Sequence, residues 1–201
     1  VAVIFSTKIP IAITIDARNV SSFLPPPNPD QPKPRKKHNM IYMQTTPQMK
    51  DIELSLAGWQ TIAEKLKPNS SGLDFGCGPG PTLSVILKEA GHSIALYDPI
   101  YHPEESVLSK NYDFITATEV FEHLHHPSKD LKKLYKNLKP GGWLGIMTKR
   151  VSSKEAFTQW HYIQDPTHVC FWSKATFYWL AKQWNSNVEF PADDVTIFQK
   201  R

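Results

Sequence analysis

The chain has 201 residues, 40% hydrophobic and 21% charged, with a net charge of +4. That length suffices for one domain with a sizeable core, and the balance is that of a soluble globular protein; no apolar run reaches transmembrane length. The mild positive excess permits an anionic partner without requiring one, and Cys77 and Cys170 are expected as reduced thiols, which fits a reducing compartment and a cytoplasmic location.

Val1–Phe5 and Ile11–Ile15 are apolar, β-rich runs that could form a hairpin. Pro25, Pro26, Pro27, Pro29, Pro32 and Pro34 then favour an extended linker, with a basic run at Lys33–Lys37. Residues 1–47 read as an N-terminal segment and linker, and 48–201 as the folded domain. Thr46-Pro47 starts a helix expected to run to Leu66, with Ile52, Leu56, Trp59, Ile62 and Leu66 as its buried stripe.

Leu73-Asp74-Phe75-Gly76-Cys77-Gly78-Pro79-Gly80-Pro81 is the stretch around which the domain is organised. Leu73–Phe75 end a buried strand, and Gly76, Gly78 and Gly80 make a turn with no Cβ to obstruct a ligand. Pro81 suits the first position of a helix over Thr82–Ala90, with Leu83, Ile86, Leu87 and Ala90 on its apolar face. The spacing is tighter than in dinucleotide-binding turns. Asp74, at the strand end, would repel phosphate but suit a cationic, amino-acid-bearing ligand. A second strand, Ser93–Tyr97, ends in Asp98, placed to accept hydrogen bonds from both hydroxyls of a ribose.

Tyr112–Ala117 reads as a further strand, with Thr116, Ala117, Thr118 and Glu119 at its ligand-facing end. A short helix stops before Pro127, and His125 and His126 are expected as exposed turn residues. Ser128 is expected to cap a helix burying Leu131, Leu134, Tyr135 and Leu138, with Pro140-Gly141-Gly142 ending it. Trp143–Thr148 is the next strand. Residues 149–172 form a long connection bearing Phe157, Trp160, His161, Tyr162 and His168, where substrate contacts tend to lie. Ser173 caps a last helix buried through Phe177, Leu180, Ala181 and Trp184. Val188–Phe190 and Val195–Gln199 close the chain as an antiparallel hairpin.

Leu73–Pro81 with Asp98, Tyr112-Asp113-Phe114-Ile115, Glu119–Leu124 and Leu138–Gly142 together resemble class I S-adenosylmethionine-dependent methyltransferases, over residues 48–201. The resemblance is closest to bacterial-type domains similar to ubiquinone-pathway O-methyltransferases. It implies an α/β fold: a Rossmann-like sheet with helices on both faces. The interval between Asp98 and Tyr112 has room for one short helix, at Pro103–Leu108. The third strand of such folds is therefore expected to be missing, leaving six strands in the order 2-1-4-5-7-6 and no assignable adenine-reading side chain. Related enzymes cover the cofactor with the run before the first helix, which makes Tyr42 a candidate cover. Some carry a zinc ribbon at the N-terminus; this segment has no cysteine, and none is expected.

The resemblance assigns the S-adenosylmethionine site to Asp74, Gly76, Cys77, Gly78, Gly80, Asp98, Thr118 and Glu119. Transfer to a hydroxyl also requires alignment and removal of a proton. On a helix Glu119, Glu122 and His123 would share a face. With His168 they could hold a divalent ion, Mg²⁺ or Mn²⁺, leaving positions open for substrate oxygens. That pattern resembles the metal site of small-RNA 3′-terminal 2′-O-methyltransferases. Without a metal, Glu and His here would simply shape the pocket, and His123, His161 and His168 are competing base candidates. The expected function is methyl transfer to a hydroxyl of a small molecule. The alternatives are a nucleic-acid methyltransferase using Lys33–Lys37, although a strong basic stripe with interleaved aromatics is lacking, and a cofactor-binding pseudoenzyme supporting a partner.

Overall fold

A computed structural model describes Ile13–Thr14 and residues 59–201. The linker, the Lys33–Lys37 run, Tyr42, the start of the first helix and most of the proposed N-terminal hairpin lie outside the described residues. Within them, the strands are β1 (Ile13–Thr14), β2 (Ser71–Phe75), β3 (Ser93–Tyr97), β4 (Tyr112–Thr118), β5 (Leu138–Met147), β6 (Cys170–Phe171), β7 (Asn187–Glu189) and β8 (Val195–Gln199). The helices are α1 (59–63), α2 (Thr82–Glu89), α3 (Pro127–Lys136), α4 (Lys154–Thr158) and α5 (Lys174–Trp184).

Six strands form the main sheet in the order β3-β2-β4-β5-β8-β7. This is the expected order with the third strand missing. The interval after Asp98 holds only a short 3₁₀ turn, Glu105–Ser109, so β3 is an edge. β2, β3, β4 and β5 run parallel, while β8 is antiparallel to both β5 and β7, giving the closing hairpin. β1 pairs with β6, with Ile13 opposite Phe171.

Alternation along the strands sends side chains to two faces. Leu73, Ile115, Leu144, Ile146 and Phe198 pack under α3 and α5 with Leu134, Phe177 and Leu180. On the other face Trp59 and Ile62 of α1 meet Met147, Val195 and Ile197. Gly145 permits that approach, since a Cβ there would overlap Ile62 and Trp59.

The structure corrects four local expectations. β5 begins at Leu138, so this residue opens a strand rather than lying on a helix face. Its ladder shifts register between Tyr112 and Phe114, and Pro140 and Gly141 are exposed within the irregularity. Gly141, at φ 78°, donates its N–H to Lys200. α3 starts at Pro127 behind His126, not behind a Ser128 cap. Pro81 flanks α2 as its N-cap, and the buried face of α2 is Ser84 and Leu87, because the Ser84 hydroxyl bonds the Asp74 carboxylate. The turn after β4 is a 3₁₀ turn of three residues, Phe121–His123, rather than a helix reaching back to Glu119.

Candidate functional site

The glycine turn lies at the C-terminal end of the parallel strands, where ligands of such sheets bind. Gly76 and Cys77 donate their N–H groups to the Tyr97 carbonyl at 2.7 and 3.2 Å, which ties the turn to the end of β3. Gly76 (φ 74°) and Gly78 (φ 61°) adopt the left-handed backbone that a side chain resists. A Cβ at Gly76 would overlap Val120, so the loop after β4 leans on the turn; Cβ atoms at Gly78 and Gly80 would meet nothing within 4 Å among the described residues.

The two acids beside the turn are differently engaged. Asp74 is buried and accepts from the Ser84 hydroxyl at 2.6 Å and the Thr116 hydroxyl at 3.0 Å. Burial raises its pKa and the two hydroxyls pull it back. Asp98 accepts from the N–H groups of Ile100 and Tyr101 through one oxygen, at 2.9 and 3.0 Å, and from Gly78 N–H at 3.2 Å through the other. It is at once the turn residue before Pro99 and an acid aimed at the glycine turn. Burial, then the charges of Asp74 and Asp98, push the Cys77 thiol up to about 12. At the end of β4 the Thr118 hydroxyl is buried with no hydrogen-bond partner among the described residues. Open glycine faces, two acids and an orphaned hydroxyl fit an S-adenosylmethionine molecule carrying an amino-acid end and a ribose.

The second half of the site is built by long-range contacts. Val169 donates its N–H to the Glu122 carbonyl at 2.8 Å, and the Trp172 indole donates to the Phe121 carbonyl at 3.0 Å. These bonds dock the long connection onto the 3₁₀ turn. Asp165 accepts from both the N–H and the hydroxyl of Thr167, which shapes the backbone just before His168. Potential ligand atoms of Glu122, His123 and His168 then lie within 4.8 Å of one another. His123 donates from Nδ1 to the Thr167 carbonyl at 2.9 Å, and His168 from Nδ1 to the Tyr162 carbonyl at 2.7 Å. A carbonyl only accepts, so Nδ1 carries the proton, and in the neutral form of either ring the lone pair is on Nε2. His168 Nε2 is 3.8 Å from Asp165.

Glu122 is fully buried and receives one hydroxyl on each oxygen: Thr148 at 2.9 Å and Tyr162 through a very short bond. Glu119 has a left-handed backbone (φ 51°), and its carboxylate lies 3.4 Å from the Tyr162 hydroxyl. Glu119 is exposed as a residue, but its carboxyl end is enclosed; that burial, then the Glu122 charge, raises its pKa.

Of the expected site residues, the structure gathers Glu122, His123 and His168, with Glu119 reached through Tyr162. Glu119 joins by this route and not by helical spacing. His161 is exposed, because in the 3₁₀ turn His161–Gln164 it is Tyr162 that points inward. His125 and His126 are exposed as expected. Sequence reasoning missed Tyr162 and Thr148 as parts of the site. Their positions, within the aromatic connection and at the end of a strand, were the only signals.

A family model described as a methyltransferase domain matches residues 50–189. No curated protein sequence matches the chain. Among solved structures, a candidate methyltransferase from Bacillus halodurans C-125 is 18% identical with a TM-score of 0.54, covering 67% of this chain and 70% of that one. An O-methyltransferase family protein from Burkholderia thailandensis is 10% identical with a TM-score of 0.54, covering 76% and 56%. A candidate sarcosine dimethylglycine methyltransferase from Galdieria sulphuraria is 20% identical with a TM-score of 0.50, covering 71% and 63%. At these identities the structures share the fold. With the family match spanning most of the chain and solved methyltransferases sharing the fold, the chain belongs to the methyltransferase-domain family and is a class I S-adenosylmethionine-dependent methyltransferase.

Proposed function

We propose that the enzyme methylates a hydroxyl of a small molecule, oriented by a divalent cation, Mg²⁺ or Mn²⁺, at Glu122, His123 and His168. The observation that carries this reading is the pair of Nε2 lone pairs converging with the Glu122 carboxylate, each ring fixed through Nδ1 by a backbone carbonyl. Such outer hydrogen bonds orient metal-binding histidines. A divalent cation bound there would acidify an acceptor hydroxyl.

Asp98 would hold the ribose, and Gly76, Gly78 and Gly80, with Asp74 behind them, would cradle the methionine end; Cys77, Thr118 and Glu119 would complete the cofactor contacts. S-adenosylmethionine, when bound, supplies an activated methyl on a sulfonium. The protein's own work is alignment: the acceptor oxygen must face the methyl carbon in line with the carbon–sulfur bond that breaks. The acceptor proton leaves as the carbon–oxygen bond forms.

A second reading rests on the 3.8 Å approach of Asp165 to His168 Nε2. Without a metal, His168 would take the acceptor proton at Nε2, and Asp165 would stabilise the resulting imidazolium. Both readings fit a cytoplasmic enzyme in which Cys77 and Cys170 remain thiols. Among the described residues no helix is long and apolar enough to cross a membrane.

The test is calorimetric titration of the full chain with S-adenosylhomocysteine and, separately, with Mn²⁺, in wild type and Glu122→Ala. It is joined to radiolabelled methyl transfer onto a panel of hydroxylated aromatics and polyols. The metal reading expects Mn²⁺ binding lost in the variant while S-adenosylhomocysteine binding persists. Methyl transfer that is indifferent to chelators, with no Mn²⁺ heat, overturns it in favour of His168. Methylation of nitrogen but not oxygen acceptors would overturn the hydroxyl assignment.

A further inference from the structure

One residue outside the glycine turn and the proposed ligand set touches nearly every member of the acceptor-side cluster. Tyr162 is 6% exposed. Its hydroxyl donates to Glu122 and lies 3.4 Å from Glu119. Its carbonyl accepts the Nδ1 proton of His168 at 2.7 Å. Its ring centroid is 4.0 Å from that of His168, which in turn lies 5.0 Å from the ring of His123.

Each contact removes a freedom that would spoil a ligand set. A carboxylate can rotate to present either oxygen, or both. Here Thr148 and Tyr162 each hold one oxygen of Glu122, fixing the plane of the group while leaving every oxygen a lone pair. An imidazole can rotate or change tautomer. Here the Tyr162 carbonyl fixes the tautomer of His168 and the Tyr162 ring fixes its tilt.

Resting on the metal reading of the site, we propose that Tyr162 is its positioning residue: through its hydroxyl, carbonyl and ring it sets two of the three ligands, Glu122 and His168, for the cation. Its own ring is anchored by Phe171, at 6.4 Å, and Trp160, at 4.9 Å, so the anchor comes from the aromatic connection rather than from the sheet.

The experiment is Mn²⁺ titration of the full-length protein saturated with S-adenosylhomocysteine, for wild type, Tyr162→Phe and Tyr162→Leu. It is read by calorimetry and by the ¹⁴N couplings of bound Mn²⁺ in pulsed electron paramagnetic resonance. Tyr162→Phe removes only the hydroxyl and keeps the ring packed. It should weaken Mn²⁺ about 10-fold with the histidine nitrogen couplings retained, and Tyr162→Leu about 100-fold with altered couplings, in the range found for outer-shell partners of metal ligands. S-adenosylhomocysteine affinity of Tyr162→Phe should stay at the wild-type value although the lost buried hydrogen bond lowers its melting temperature, a selective loss of Mn²⁺ that a merely structural role would not predict. Should wild type and Tyr162→Phe bind Mn²⁺ equally with identical couplings, the positioning role is overturned and the metal site stands. Should wild type bind no Mn²⁺, the metal reading falls and this inference with it.

Discussion

The two halves of the site are built by opposite means. The half proposed to hold the cofactor is local: β2, the glycine turn and α2 are contiguous, and Asp98 closes the side from the next strand. The half proposed to face the acceptor is assembled across distance, from the turn Phe121–His123, the end of β5 at Thr148 and the 3₁₀ turn His161–Gln164. A local half is fixed by backbone sterics. A distributed half depends on the bonds that dock the long connection, such as Val169 to Glu122 and Trp172 to Phe121.

If that division is real, the halves can be broken separately. Glu122→Ala should lower methyl transfer about 10³-fold, in the range for losing a positioned acid–base or metal-binding group, while S-adenosylhomocysteine titration stays unchanged. Gly78→Arg should do the converse, abolishing S-adenosylhomocysteine heat but leaving Mn²⁺ binding, because the new side chain stands over the turn on a left-handed backbone that resists it. Loss of both ligands in either variant would collapse the comparison.

Cys77 sharpens it further. With its thiol pushed up to about 12, its thiolate fraction at pH 8 is small, and alkylation by iodoacetamide should run about 10³-fold slower than for a free cysteine. Rapid labelling near neutrality would mean that the thiol is not buried beside the two acids. Asp98→Ala, which frees three N–H groups and removes the proposed ribose partner, should weaken S-adenosylhomocysteine about 10- to 100-fold by calorimetry, with Mn²⁺ untouched.

The smallest effect lies at the other end of the sheet. Burial works to raise the Asp113 carboxyl, but the Ser71 N–H, the Lys139 ammonium and the Ser71 hydroxyl outweigh it and leave the pKa lowered. A carboxyl lowered on folding stabilises the fold above its unfolded value of 3.8, and that contribution is lost as pH falls through the folded value. Asp113→Asn should therefore cost below about 1 kcal/mol in urea unfolding at pH 7, since the Lys139 pair is partly exposed, and the difference should vanish in strong acid. Neither ligand should notice the change.

Much of this was legible in the residues. The glycine turn and Asp98 came from short-range rules, since turn sterics and strand alternation act over a few residues, while the sheet order and the missing strand came from the resemblance to the methyltransferase fold set against the short interval after Asp98. What misled was also local. Pro140-Gly141-Gly142 looks like a helix stop yet lies inside β5, because pairing with β4 and β8 absorbs the irregularity. Glu119 looked like a helical neighbour of Glu122 and His123, but the chain turns left-handed there and only tertiary contacts bring the carboxylates together.

The sequence by itself determined the strand, the glycine turn and the acid at the next strand end, since a turn without Cβ atoms and an acid beside it need no distant partner. Only the tertiary structure decided which of the later histidines face inward. His161 and His168 are equivalent as letters. Burial of Tyr162 turns His161 to solvent, and the carbonyl of that same Tyr162 captures His168. The choice rests on buried hydrogen bonds that must be satisfied, and those are made only once the connection is docked.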